Sequence, residues 1–192
     1  MSERIEAVDR SASQAPSEGV PRAAAAGLVI GRAPFDDAGP RWVVTQALAE
    51  LLARYDDLSP GEFDHTVGEF DPPAGAFLVA RTVAGGHTVG GVGVRPSRLG
   101  APGPVDAPVG EIKRLWVDPE HRGRGLARAL MAHAESAARE LGYVTLRLET
   151  GEAQPEAIAL YTSLGWTRSV RAWTGGPVEC GEYRFTKDLG TA

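Results

Sequence analysis

The stretch Leu115-Trp-Val-Asp-Pro-Glu-His-Arg-Gly-Arg-Gly-Leu-Ala127 limits this chain more tightly than any other. An apolar strand, Ile112 to Val117, meets Asp118-Pro119, where proline fixes φ and withholds an N–H, so the strand stops. Arg122-Gly-Arg-Gly-Leu-Ala127 follows and leads into an Ala- and Leu-rich segment with helical character. Two glycines directly before a helix let the backbone pass close to a ligand and aim successive N–H groups outward. The helix start carries partial positive charge, to which Arg122 and Arg124 add. The product is a pocket for an anion such as a phosphate or pyrophosphate.

Two common phosphate loops do not fit. Gly-x-x-x-x-Gly-Lys-Ser/Thr is absent, and Gly123-x-Gly125-x-Ala127 lacks the Gly-x-Gly-x-x-Gly spacing of dinucleotide binders. A second informative segment is Gln154-Pro-Glu-Ala-Ile-Ala-Leu-Tyr-Thr-Ser-Leu-Gly-Trp166, whose Leu-Tyr-x-x-x-Gly lies about 35 residues after the glycine loop. The first segment resembles the acyl-CoA loop of the GNAT superfamily of N-acetyltransferases, Gln/Arg-x-x-Gly-x-Gly/Ala. The second resembles that superfamily's Asn-x-x-Ala-x-x-Leu-Tyr-x-x-x-Gly-Phe, with Gln154 in place of Asn and Trp166 in place of Phe. The resemblance covers about residues 28 to 189. It implies an α/β (α+β) GNAT fold: one mixed, mostly antiparallel central sheet, splayed between its fourth and fifth strands, with helices on both faces.

Length, 192 residues, suits one domain, and no apolar run approaches a membrane span. A net charge of −5 argues against nucleic acid as the main partner. One cysteine, Cys180, excludes an internal disulfide and suits a reducing cytoplasm. No positively charged lead precedes an apolar stretch, so a cytoplasmic location is expected. Residues 1–26, rich in Ser, Ala, Glu, Arg and Pro without periodicity, read as a mobile tail before a domain over 27–192.

Along that domain, Leu28-Val-Ile30 reads as a first strand and Pro34 to Gly39 as a turn. Pro40 can open a helix whose Val44, Leu48, Leu51, Leu52 and Tyr55 recur at helical spacing as a buried stripe. Ser59-Pro-Gly-Glu62 has the form of a capping box for a short second helix. Phe77 to Val83 and Thr88 to Val94 flank Ala84-Gly-Gly-His87 as a hairpin, with His87 solvated at its tip. Gly90, Gly91 and Gly93 are awkward inside a strand and suggest a bulge or a close backbone approach. Residues 96–108 form a long Pro- and Gly-rich loop, either part of an acceptor mouth or an insertion. Strict alternation in Glu111 to Val117 would put Glu111, Lys113, Leu115 and Val117 opposite Ile112, Arg114 and Trp116, though a bulge would break it. Leu126, Leu130, Ala134, Ala137 and Leu141 share a helix face closed by Gly142. Tyr143 to Thr150 alternates as a strand, Pro155 opens a helix closed by Gly165, and Tyr183 to Leu189 suits a final antiparallel strand. Cys180 reads as packing, since no histidine nearby supports a Cys/His pair. No metal-ligand spacing is present.

The resemblance implies acetyl-CoA as co-substrate, an amine acceptor and no metal, and it allows a homodimer. Carried over residue by residue, the backbone of Leu115, Trp116 and Val117 would pair with the pantetheine arm, and the Val117 N–H would polarise the thioester carbonyl. Arg122, Gly123, Arg124, Gly125, Leu126 and Ala127 would hold the pyrophosphate, and the Gln154 amide the pantetheine. Tyr161 would contact the cofactor and protonate the departing thiolate. The implied reaction is attack by an amine, which must first lose a proton because a free alkylamine has a pKa near ~10.4. Glu111 is the first candidate for that base and Glu149 the second. Asp36 and Asp37 are candidates for holding a cationic acceptor. The plainer readings are ion-paired strand ends for the glutamates, a packed helix tyrosine, and turn or capping aspartates. The activity expected is transfer to a primary amine of a small molecule by direct attack in a ternary complex. Transfer to a protein lysine or N-terminus, or acyl-CoA binding without catalysis, are the alternatives.

Overall fold

Turn formers punctuate this chain often enough that its strands stay short and its helices are bounded by Pro and Gly. The computed structural model describes residues 27–55, 68–98, 108–169 and 182–190. The expected tail, the Ser59–Glu62 helix, the centre of the 96–108 loop, Cys180 and the turn at Gly175-Gly-Pro177 lie outside the described residues. In chain order the elements are β1 (Leu28–Ala33), α1 (Ala38–Arg54), β2 (Ala76–Thr82), β3 (Thr88–Pro96), β4 (Val109–Val117), α2 (Leu126–Glu140), β5 (Thr145–Gly151), α3 (Pro155–Ser163), β6 (Thr167–Ser169) and β7 (Glu182–Asp188). No helix among the described residues is long and apolar enough to cross a membrane.

The strands form one sheet in the order β1-β2-β3-β4-β5-β7-β6. All neighbours run antiparallel except β4 and β5, which are parallel. That pair holds together only over Val109↔Thr145, Gly110↔Leu146 and Glu111↔Arg147. Beyond it β4 continues from Ile112 to Val117 against β3, and β5 continues from Leu148 to Gly151 against β7. The two strands therefore part like a V, and β4 turns backbone groups that have no sheet partner toward the opening. This is the mixed sheet, splayed between its fourth and fifth strands, that the resemblance implies.

A bulge in β4 settles its two faces. Gly91 pairs with Trp116 but Gly93 pairs with Lys113, so Arg114 and Leu115 together oppose the single residue Val92. Arg114 takes φ 59 there. After the bulge Leu115 and Val117 join Ile112 in the core under α2, whereas Trp116 joins the core under α1, on the side of Glu111 and Lys113. Strict alternation fails by one residue, as a bulge requires. Beside it, a Cβ on Gly91 would lie 2.7 Å from the Leu78 carbonyl oxygen, and one on Gly93 would lie 2.5 Å from the Phe70 ring. Those two glycines permit the close approach expected of them.

The helices cover opposite faces. α2 buries Leu126, Ala129, Leu130, Met131, Ala134, Ala137 and Ala138 against the sheet. Leu130 and Met131 are fully enclosed, each worth about 2 kcal/mol of apolar transfer. Gly142, φ 86, ends this helix as expected. α1 behaves differently from its expected stripe. It buries Pro40, Val43 and Ala47, while Leu52 is 46% exposed. The reason is the V: the C-terminal half of α1 overhangs the opening, so Glu50, Leu51 and the following Tyr55 line a cavity instead of a core. Arg147 also departs from the polar face expected of it, being 4% exposed beside Glu111.

Candidate active site

The V between β4 and β5 opens into a cavity of about 910 Å³. β4 contributes Ile112 to Val117, and the following loop and α2 contribute His121, Arg122, Gly123 and Gly125 to Arg128. The far wall is Glu149, Thr150 and Gly151 of β5, Gln154, and Ala157, Leu160 and Tyr161 of α3. Leu115, Trp116, Val117, Gly123, Gly125, Leu126, Ala127, Gln154 and Tyr161 thus meet around one space, as their assignment to a single ligand requires.

The loop before α2 is built for its backbone. The Asp118 carboxylate accepts from the Glu120 N–H at 2.9 Å, which closes a short 3-10 turn over Pro119–His121. Gly123 and Gly125 then take φ 72 and φ 79, left-handed values that favour glycine. Gly125 is the N-cap of α2 and offers no side chain to it. The N–H groups of Leu126 to Arg128 belong to the first turn of a helix, which has no carbonyls of its own to satisfy them. With the helix's partial positive charge they suit a phosphate at the cavity wall.

Arg122 takes a different place from the one expected. Its guanidinium donates to Glu50 at 2.6 and 3.3 Å and, through Nε, to the Val117 carbonyl at 2.8 Å. It also lies 6.0 Å from the Trp116 ring centroid. The cation that the resemblance assigns to a phosphate holds a carboxylate of the protein itself, and Arg124 is exposed and does not line the cavity.

Glu50 is the hub that sequence reading missed. Besides Arg122 it accepts from Trp116 Nε1 at 2.9 Å and from Arg54 at 2.5 Å. Burial acts to raise its carboxyl pKa, but the hydrogen bonds from Arg122 and Trp116, the charge of Arg122 and the Arg54 bond together hold it below its ordinary value of 4.5. Because the folded value is depressed, the network's contribution is complete above that ordinary value and fades as pH falls through the lowered one. Arg54 meanwhile donates to the Ala153 carbonyl at 2.9 Å and pairs with Glu156 at 2.5 Å. Tyr55 rests its hydroxyl on Gly151, where a Cβ would lie 2.1 Å away. One turn of α1 is therefore fastened to β4 on one side and to the β5–α3 turn on the other. A Glu50→Ala variant should lose about 1.5 kcal/mol of stability or more, since each hydrogen bond lost to a charged donor is worth about that much. Calorimetry would measure it; an unchanged thermal midpoint would show that the network does not hold the cleft walls.

The remaining candidates divide by position. Tyr161 lines the cavity, is 6% exposed, and sits between Trp166 and Phe185 at ring distances of 6.0 and 5.6 Å. Burial pushes its phenol well above the ordinary range, so it stays protonated. Glu149 lines the cavity with one oxygen 2.8 Å from Arg184 Nε. Gln154 accepts from the Thr150 hydroxyl at 3.0 Å, which fixes its amide at the cavity wall. Glu111 stands elsewhere: fully enclosed under α1, outside the cavity lining, with Arg95 Nε at 3.2 Å and Lys113 Nζ at 2.8 Å. Asp36 is an exposed partner of Arg41 at 2.7 Å, Asp37 precedes α1 as its N-cap, and neither lines the cavity. His121 lines the cavity 3.8 Å from Asp118. Among the described residues no group of three or more His, Cys, Asp or Glu is placed to hold a metal.

Comparison with known proteins agrees with this geometry. Residues 43–166 match the model of the acetyltransferase (GNAT) family. The chain is 41% identical over 107 residues to a mycothiol acetyltransferase of Thermobispora bispora, covering 55% of this chain and 32% of that protein. It is 35% identical over 125 residues to an IAA acetyltransferase of Azospirillum brasilense, covering 64% of this chain and 76% of that one. Against the longer relatives, then, it spans about a third of their length. A GNAT family acetyltransferase from Elizabethkingia anophelis, solved with acetyl-CoA bound, superposes with a TM-score of 0.55 at 15% identity, over 84% of this chain and 98% of that one. That likeness concerns the fold. The family match spans well over half of the residues and carries both motifs, so the chain belongs to the GNAT acetyltransferase family.

Proposed function

We propose that this protein transfers an acetyl group from acetyl-CoA to the primary amine of a small molecule, by direct attack within a ternary complex. The observation that carries this reading is the V between β4 and β5, with the glycine loop at one end and Tyr161 and Glu149 on its walls. The residues fit the co-substrate: N–H groups for phosphate at the start of α2, strand-edge groups of Leu115 to Val117 and the Gln154 amide for the pantetheine, and a buried phenol for the sulfur.

Glu149 is the base favoured by position. It is a carboxylate on the cavity wall with one strong partner, whereas Glu50 is held ionised by three donors and Glu111 is enclosed by cations. Directly or through a water, Glu149 takes the ammonium proton, and the neutral amine attacks the thioester carbonyl. Carbonyl polarisation by a strand N–H and the orientation of two bound substrates supply most of the acceleration.

The test is thiol release from acetyl-CoA by the purified chain, screened against polyamines, amino acids, aminoglycosides and lysine peptides. Turnover with a small amine is expected, and Glu149→Gln should lower kcat about tenfold to hundredfold while sparing acetyl-CoA binding. Glu111→Gln should instead lower stability by about 2 kcal/mol, because it takes from Lys113 its carboxylate partner and from the buried Arg95 one of two. If acetyl-CoA binds but no amine is acetylated, the protein is a binder and not an enzyme; if only peptides react, the acceptor is a protein.

A further inference from the structure

The bulge in β4 carries an arginine, and its surroundings describe the acceptor. Arg114 is the residue that the bulge adds, its φ of 59 is unusual for a side chain with a Cβ, and it lines the cavity. Bulges re-aim side chains, and unfavourable backbone angles are retained where the side chain's placement matters. Around it lie Arg95, Glu111 and Glu69, the groups whose charges act on its guanidinium. Lys113, also on the cavity wall, pairs with Glu111; Arg98 pairs with Glu69; and Arg147 stands beside Glu111 in register on the same face. Among the described residues, five cationic side chains thus gather around two carboxylates, in a chain whose net charge is −5. This is the side of the sheet under α1, away from α2 and its phosphate-binding start.

Resting on the acetyltransferase reading above, we propose that the acceptor is an amine that also bears a carboxylate, as an amino acid does, and that Arg114 with Lys113 recognises that carboxylate. The planar fork of a guanidinium matches a carboxylate in two parallel hydrogen bonds, and Arg114 and Lys113 stand next to each other on the β4 wall of the cavity, across from Glu149 of β5. Burial and the repulsion of Arg95 hold the Arg114 guanidinium down to about 10, so an anion beside it relieves an existing penalty. A polyamine entering the same wall would add positive charge to it, so specificity comes from repulsion as well as attraction.

The experiment compares acetyl transfer by the full chain to the common amino acids, each beside its own carboxamide and its decarboxylated amine. At least one acid should be turned over with kcat/KM tenfold or more above both partners that lack the carboxylate. Arg114→Gly, which suits a positive φ, should reduce kcat/KM for that acid about a hundredfold and for its amide far less, through KM for the acceptor. Arg114→Lys should recover part of the loss. In both variants the KM for acetyl-CoA and the thermal midpoint should stay near those of the parent, which separates recognition from folding. Preference for the amides, amines or polyamines would overturn this assignment while leaving the acetyltransferase reading intact, as would an equal loss on acid and amide in Arg114→Gly. Absence of turnover on every amine class would overturn both.

Discussion

Tyr161→Phe should lower kcat by on the order of 10²-fold or more, with little change in acetyl-CoA affinity, because the proposed mechanism assigns its hydroxyl to the departing thiolate. The ring itself stays between Trp166 and Phe185, so packing is conserved and the thermal midpoint should move little. The chemical reason is the burial of the phenol, which holds its proton at any pH used for assay. A thiolate expelled beside it is desolvated too, hence more basic than in water, and a hydrogen bond from the phenol stabilises it as the C–S bond breaks. Thiol-release kinetics at saturating acetyl-CoA, set beside titration of binding, would separate the two effects. An unchanged kcat would mean that solvent carries that proton and that Tyr161 is a packing residue.

The largest stability loss is expected from Gly75→Ala. A Cβ at that position would lie 2.0 Å from the Glu69 carbonyl oxygen and 2.7 Å from the Phe70 Cα, both backbone atoms that no rotamer change can move. The segment is also held on several sides. Gly75 N–H donates to the Asp71 carbonyl at 2.9 Å, the Asp71 carboxylate accepts from the Phe35 N–H at 2.9 Å, and the Tyr143 hydroxyl donates to the Ala74 carbonyl at 2.6 Å. Displacing Phe70 disturbs a fully enclosed ring that packs on Phe35 and Phe77. Displacing Glu69 loosens its pair with Arg95. Overpacking of this kind costs about 3 kcal/mol, which for a domain of this size lowers the thermal midpoint by roughly 6–12 °C. Calorimetry would decide it. A shift under about 2 °C would show that the 68–75 segment yields.

Much of this architecture is legible in the sequence because its signals are local. The Asp118-Pro119 stop, the paired glycines and the Leu-Tyr-x-x-x-Gly segment each act within a few residues, and Gly142 and Gly165 take the left-handed angles expected of helix ends. What escapes is set by pairing across the fold. Glu50 sits on a helix between Ala49 and Leu51, and nothing in its neighbourhood announces Trp116, 66 positions away, as its partner. Arg122 carries the right charge for a phosphate, yet a carboxylate held closer claims it. Glu111 and Glu149 look alike as strand-end acids; only the point at which β4 and β5 separate places one under a lid of cations and the other on the cavity wall. The bulge is foreshadowed by Gly91 and Gly93, but its consequence for Trp116, Leu115 and Arg114 appears only once the register is known.

The last turn of α1 works on the V as a tie-beam works on a pair of rafters. Glu50 is bolted to the β4 rafter through Trp116 and Arg122, and Arg54 and Tyr55 to the β5 rafter through Ala153, Glu156 and Gly151. The span between the rafters is then fixed by the length of one helical turn, about 5.4 Å of rise, together with the reach of these side chains, and not by whatever lies between them. A cleft framed this way meets its ligand already at working width, so less of the binding free energy is lost to ordering the walls. The same beam forms part of the cavity wall, so a substitution there that reshapes the cavity also re-spaces the rafters that bound it.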